Sequence, residues 1–392
     1  MRTVSKTVER IAALLGALLI ILLRPLITIR LGIIDGSRIG ALLLQPAEYL
    51  SIKNNSPQVP LRIDLHWCSE PVCNLQLQKI IERRLRLLPW PRFGQLLTKG
   101  ILFWAHGQSY HHSIYPTTNW RYITRQPLQF ELTKDEKLRG RQLASVFGIP
   151  PGEPWACIHN RDHAYLDSAV PTTNWDYHDY RNFPVSTMVD AAEELANRGY
   201  YVIRVGSTAS LKISSSNPKI IDYANSHNVD NLLDIYLNSQ CALFIGCDSG
   251  LWVVPYVFGR PIAMVNHTLW LNFERYFTQP KLFIPKTVWS NQTQKFLSLK
   301  EILNGEIKEA YTTQMFAHAE VTLINNSPQE IRDVTVELLE RTSGQWIADE
   351  GDEELQRAFW IAISSFMVLP QYDNERPRIG AAFLRKHKYL LD

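Results

Sequence analysis

Cysteine is scarce in this chain and never closely paired. Cys68, Cys73, Cys157, Cys241 and Cys247 are five in number and form no CxxC element, which argues against a zinc site and for a reducing compartment. Cys157 and Cys241 fall in apolar strand patterns, where a thiol behaves as a small buried hydrophobe. An excess of either charge is missing too. The 41 Lys and Arg residues stand against 38 Asp and Glu, a net charge of +3, so no nucleic-acid partner is expected and a small anionic ligand suits the chain better. The apolar run Ile11–Leu23 falls short of the about 20 residues of a comfortable spanning helix. No small-residue cleavage site follows it, so a removed signal peptide has little support. With Arg2, Lys6 and Arg10 before it and Arg24-Pro25 after it, residues 11–23 read as an interfacial anchor on anionic lipid; the alternative is an apolar first helix packed in the fold. His106, His111 and His112 lack the i, i+4 spacing of a helical metal pair and read as solvated loop histidines rather than ligands. There is no internal repeat and no low-complexity tract. At 392 residues, 45% hydrophobic and 20% charged, the chain suits two ordinary domains.

The most informative stretch is Cys241–Val265. Ala242–Ile245 and Ile262–Val265 read as buried strands, with Gly246-Cys247-Asp248-Ser249-Gly250 and a short helix ending at Gly259 between them. That is one step of a parallel α/β sheet. A helix beginning near Ser249 would aim its first amides at a phosphate, with Gly246 and Gly250 allowing close approach. The alternative is an ordinary turn with Asp248 or Ser249 as N-cap. Upstream, Gly148-Ile149-Pro150-Pro151-Gly152-Glu153-Pro154 reads as a linker, and the domain boundary is expected there. Trp155–Ile158 then forms a strand that ends in His159-Asn160-Arg161-Asp162. Parallel strands deliver their carboxyl ends to one edge, so Arg161 is placed to meet the same ligand, its planar fork suiting a diphosphate. Asp162 would orient that arginine or a substrate hydroxyl. The alternative is a surface Arg-Asp pair.

The pattern alternates strand and helix through Pro184–Arg198, Tyr200–Val205, Ile220–Tyr223 and Asp230–Leu237, which implies a helix-covered parallel sheet. In the first half, Ile27–Ile34 and Ile63–Trp67 read as strands and Asn74–Leu88 as a basic amphipathic helix. Asp35 follows the first strand, where a catalytic base could stand, although Asp35-Gly36 is equally a local turn. Late helices are expected at Gln329–Arg341 and Glu353–Met367, and Arg378–Leu391 is expected to pack back across the first domain.

These pieces resemble the GT-B glycosyltransferases, specifically bacterial surface-polysaccharide enzymes related to the heptosyltransferase-like group. The resemblance rests on Ser37-Arg38-Ile39-Gly40, Ile158–Asp162, Tyr201–Gly206, Phe244–Val265, Asn325–Ile331 and Arg378–Leu384. It implies an α/β fold of two Rossmann-like domains facing across a cleft, with an N-terminal apolar helix. The domains would be residues 1–26 (membrane-associating helix), 27–148 (acceptor side), 149–345 (nucleotide-sugar side) and 346–392 (helices returning to the first domain). It further implies a nucleoside diphosphate sugar as co-substrate, no cofactor, no metal and a saccharide or lipid-linked saccharide acceptor. The expected location is the cytoplasmic face of the cell membrane. Carried over residue by residue, Asp248, Ser249 and Gly250 would hold donor phosphate and Arg161 the diphosphate. Arg204, Gly206 and Ser207 would line the donor cleft, Lys286 would add charge near the leaving group, and Glu320 would accept from ribose hydroxyls. Asp35, or else Asp162, would take the acceptor proton. The chain lacks an Asp-x-Asp element of the metal-bound kind. It departs from the resemblance in having Ser249 where threonine is usual and Asp35-Gly36 in reversed order. A nucleotide-sugar epimerase or hydrolase of the same fold and a non-catalytic scaffold are the competing readings.

Overall fold

Leu243–Gly246 and Ile262–His267 are buried at every position, as strands become when a parallel sheet is covered on both faces. The computed structural model describes residues 2–55, 61–105, 130–169, 174–226, 230–268, 282–366 and 377–392. His106, His111 and His112 lie outside them. The chain divides into two units, Met1–Glu131 and Leu132–Asp392.

In the first unit, β1 (Thr28–Ile34) and β2 (Arg62–Cys68) pair in parallel from Thr28 opposite Arg62 to Ile34 opposite Cys68. Among the described residues, four helices accompany them: α1 (Arg2–Leu23), α2 (Ile39–Asn55), α3 (Leu75–Glu82) and α4 (Pro91–Ala105). The core joins Ala17 and Ile20 of α1 and Leu97 and Ile101 of α4 to Leu31 and Trp67 of the strands. α4 lies so close to β2 that a Cβ on Gly94 would fall 2.4 Å from the Trp67 ring. Asn74 caps α3 as its sequence suggests, but the helix ends at Glu82. The reason is a competing backbone demand: Leu88 N–H bonds the His66 carbonyl at 2.8 Å, which draws the next residues alongside β2.

The second unit holds β3 (Trp155–Ile158), β4 (Tyr201–Arg204), β5 (Ile220–Ile221), β6 (Leu243–Gly246), β7 (Ile262–His267), β8 (Leu282–Pro285), β9 (Thr287–Ser290), β10 (Lys295–Phe296), β11 (Val321–Ile324) and β12 (Arg378–Ile379). Seven of these form one sheet in the order β12-β8-β7-β6-β3-β4-β5, with every pairing parallel. The chain runs outward from β3 through β4 to β5, then returns to the other side of β3 to start β6. Between β3 and β6 the winding direction reverses, which in an open α/β sheet opens a crevice at the carboxyl edge. A small antiparallel sheet, β10-β9-β11, was not anticipated from sequence.

Two expectations about the domain limits are corrected. Helix Lys134–Val146 belongs to the second unit, because a Cβ on its Gly140 would lie 2.4 Å from the Tyr236 ring of helix Asn231–Gln240. The Gly148–Pro154 stretch therefore joins a helix to β3 inside one unit, and the division falls after Glu131. Residues 346–392 also belong to the second unit. β12 pairs with β8, Gln356 Nε2 donates to the Ile379 carbonyl, and Ala381 N–H donates to Glu337 at 2.7 Å.

Candidate functional site

Two of the chain crossings that flank the reversal carry chemistry. Beyond β3 comes Arg161, and beyond β6 comes Cys247-Asp248-Ser249-Gly250. The segment Trp175–Phe183 is latched to this edge by Phe183 N–H on the Arg161 carbonyl at 3.3 Å and Asn160 Nδ2 on the Phe183 carbonyl at 3.2 Å. It brings a second arginine, Arg181, whose Nη1 donates to the Asp248 carbonyl at 3.3 Å. Arg161 Nη1 donates to the His178 carbonyl at 3.1 Å and to Asn182 Oδ1. Lys286, one residue past β8, is 2% exposed and donates through Nζ to the carbonyls of Tyr180 at 2.7 Å and Asn182 at 3.0 Å.

Three cationic side chains thus gather at the carboxyl edge of one sheet. Burial, then the neighbouring Arg181 charge, pulls Arg161 below the ordinary guanidinium range. Burial drives Lys286 down to about 8; the Asp248 carboxylate opposes the shift and Arg161 adds to it. Arg181 Nε is buried without a hydrogen-bond partner among the described residues. Burial also pushes the Cys247 thiol up to about 12, so it stays neutral and offsets none of the positive charge. Such a concentration of desolvated donors is suited to an anion with several oxygens.

Some predicted residues have other work. Asp248 is 4% exposed, and its carboxylate accepts from His267 Nδ1 at 2.8 Å and from Thr268 N–H at 2.9 Å and Oγ1 at 3.2 Å. It braces β6 against the end of β7. Ser249 N–H is taken by the Cys247 carbonyl at 2.7 Å, and its hydroxyl accepts from Leu251 N–H. The following helix begins only at Val253 and ends at Val257, so no helix terminus is aimed at Ser249. Gly250 is exposed. A Cβ on Gly246 would meet the Phe244 ring at 2.3 Å, so this glycine answers packing.

Arg204 is 2% exposed and is consumed inside the fold. It donates to Asn160 Oδ1 at 3.1 Å and to the Leu211 carbonyl, with Asp222 at 3.4 Å and Asp162 at 3.8 Å. These bonds pin the loop after β4, which Gly206 enters at φ +150° and where Ser207 is exposed. Asp162 is held in the same network: one oxygen accepts from Ala164 N–H, the other from Ser210 N–H at 3.0 Å and Oγ at 2.8 Å. That ties a carboxylate proposed as a base to a fixed structural duty. Glu320 lies exposed in the turn before β11, at φ +52°, where its carbonyl accepts from Asn291 N–H at 2.9 Å.

In the first unit, Asp35 stands at the carboxyl end of β1. One oxygen accepts from Ser37 N–H and Oγ at 2.9 and 2.6 Å, the other from Arg38 at 3.1 Å. Partial burial pushes its pKa up, but the bonds from Ser37 and Arg38 outweigh that and leave it below the ordinary value. It is an ionised acceptor at neutral pH.

Sequence reading missed Arg181, which sits in a polar tyrosine-rich loop whose attachment depends on Asn160 and Phe183. It also missed His163, Asp176 and Asp179, the one group among the described residues whose ligand atoms all lie within 4.8 Å. Within that group His163 Nδ1 lies 3.4 Å from Asp179 Oδ1, and Asn182 Nδ2 donates to Asp179 at 2.9 Å.

No protein-family model and no curated protein matches the chain. Among solved structures, the dodecameric iron-containing heptosyltransferase TibC in complex with ADP-D-beta-D-heptose aligns at 12% identity with a TM-score of 0.41, over 82% of this chain and 79% of that one. Glycosyl transferase family 9 from Veillonella parvula aligns at 12% identity and 0.37, over 60% and 79%. E. coli ADP-heptose lps heptosyltransferase II aligns at 15% identity and 0.35, over 60% and 84%. At these scores the alignments are distant likenesses, and they assign neither a family nor an activity to this chain.

Proposed function

We propose that the chain is a glycosyltransferase that moves a sugar from a nucleoside diphosphate sugar to a saccharide or lipid-linked saccharide in cell-surface polysaccharide synthesis. The observation that carries this reading is the convergence of Arg161, Arg181 and Lys286 beside the β3–β6 reversal. Three donors held in place before a ligand arrives would stabilise the negative charge that develops on a departing diphosphate. They would also favour the cleaved state over the intact donor, where that charge is smaller. Asp35 is the acceptor-side base in this mechanism, because its carboxylate is ionised and held only by its sequence neighbours Ser37 and Arg38, while Asp162 is bound into the distant Ser210 loop.

The test is a thermal-shift and turnover pair on the full chain. Selective stabilisation by one nucleoside diphosphate, lost in Arg161→Ala and Arg181→Ala, supports the donor site. Sugar transfer to an added saccharide, lost in Asp35→Asn with donor binding kept, supports the transferase. Donor turnover without an acceptor would instead indicate an epimerase or hydrolase. Donor binding with no product in any acceptor mixture would indicate a scaffold, and no binding by any nucleotide would sink the whole reading.

A further inference from the structure

Helix α1 presents two different apolar faces. On one, Ala13, Ala17 and Ile20 are buried against α4. The two helices approach closely there: a Cβ on Gly100 would lie 2.9 Å from Ala17 Cβ, and one on Gly16 would lie 3.1 Å from Leu97. On the other face, Val8, Ile11, Leu15, Leu19 and Leu22 are 59, 52, 63, 56 and 66% exposed. Their spacing keeps them on one stripe along the helix. α4 ends in Leu102, Phe103 and Trp104, exposed by 48, 68 and 52%, with the two rings in edge contact at 5.2 Å. An exposed apolar surface of this extent marks a contact with something other than water.

The charges around it are nearly all basic. Lys6 and Arg10 lie near the start of α1, Arg24 follows its end, and Arg92 and Lys99 lie on α4; Glu9 is the sole acidic residue in either helix. A second copy of the chain would answer the apolar stripe, but both ends of α1 are basic, so either orientation of a paired helix would set like charges against each other. An anionic bilayer answers the stripe and the basic rim together. Among the described residues no helix is long and apolar enough to cross a membrane.

We propose that α1 and α4 form one docking surface for an anionic lipid bilayer. α1 lies in the plane of the interface with its Val8–Leu22 stripe among the acyl chains, and the Phe103-Trp104 end of α4 enters beside it. The proposal is independent of the donor site.

The test is co-sedimentation of the full chain with vesicles of phosphatidylcholine alone or mixed with phosphatidylglycerol. Binding is expected to the mixed vesicles and to weaken with salt. Leu15→Glu with Leu19→Glu should reduce it about tenfold or more, and Lys6→Glu with Arg10→Glu should reduce it too. Both pairs change exposed positions, so the melting temperature should hold. Lipids brominated in the acyl chains should quench tryptophan fluorescence, less so in Trp104→Phe. Absence of vesicle binding, or binding that both pairs leave unchanged, would overturn the proposal. So would a chain that binds no vesicles and turns from dimer to monomer in the Leu15/Leu19 variant, which would make a second copy the occupant.

Discussion

Lys286 offers a quantitative test of the anion site that needs no knowledge of the ligand. Its ammonium is 2% exposed, and burial takes its pKa from 10.5 to about 8. At about 1.36 kcal/mol per unit, keeping that charge buried costs the folded state about 3 kcal/mol at neutral pH. Because the folded pKa lies below the unfolded one, the unfolded chain binds more protons between pH 8 and 10.5, so stability rises with pH across that window. Between pH 7 and 10 the wild type should recover about 2.5 kcal/mol relative to Lys286→Met, which has no ammonium to titrate. The lost bonds to the Tyr180 and Asn182 carbonyls shift the mutant by a constant and drop out of the comparison. For a unit of this size the melting temperatures of the two proteins should diverge by about 5 °C over that range. A bound diphosphate should compensate the same charge, so its affinity should fall on the order of tenfold from pH 7 to pH 9.5 as Lys286 deprotonates. Parallel melting curves for wild type and Lys286→Met from pH 7 to 10 would refute the reasoning, since the lysine would then be an ordinary solvated group.

Other consequences follow from the same contacts. Arg161→Ala and Arg181→Ala should each weaken nucleoside diphosphate binding by about 1.5–3 kcal/mol, tenfold or more in titration calorimetry, and Arg161→Lys should restore only part because it lacks the planar fork. Asp248→Ala should destabilise the chain by about 3 kcal/mol in urea titration, because the buried Thr268 N–H and His267 would lose their acceptor; a loss of donor affinity with unchanged stability would show that Asp248 faces the ligand instead. Glu330, with the His387 and Lys386 side chains and Ser327 N–H on its carboxylate, overcomes its burial to sit at about 2. Its contribution is present above the unfolded value of 4.5 and disappears as pH falls towards 2, so Glu330→Gln should flatten the acid limb of the melting profile.

The second unit was legible because its strands are short continuous apolar runs bounded by glycine, proline or charge. Trp155–Ile158 and Ile262–His267 announce themselves in this way. The antiparallel strands β9 to β11 do not: Lys295-Phe296 is exposed, and Val321–Ile324 alternates between partly buried and exposed positions, leaving neither a run nor a long enough alternation to detect. The Gly148–Pro154 stretch misled for a related reason, since composition locates a break in regular structure but not which side of it packs with what. Gly140 against Tyr236 decided that question, and such a contact joins residues far apart in sequence.

The site divides along the same line. Arg161 was legible because a side chain just past a parallel strand must emerge at the carboxyl edge. What sequence position could not convey was the competition among neighbours for each polar group. Asp248, Asp162 and Arg204 stand at equally suggestive positions, yet each is claimed by protein partners: His267 and Thr268, Ser210, and Asp222 with Asn160. Arg161, Arg181 and Lys286 also have protein partners, but these are carbonyls and one amide, neutral acceptors that satisfy a cation's hydrogen bonds without cancelling its charge. That distinction separates a structural cation from one held for an anion. It gives Arg204 and Arg181 opposite expected behaviour: Arg204→Met should lower stability, while Arg181→Met should leave the melting temperature of the free protein nearly unchanged or raise it, and abolish the shift that a nucleoside diphosphate produces.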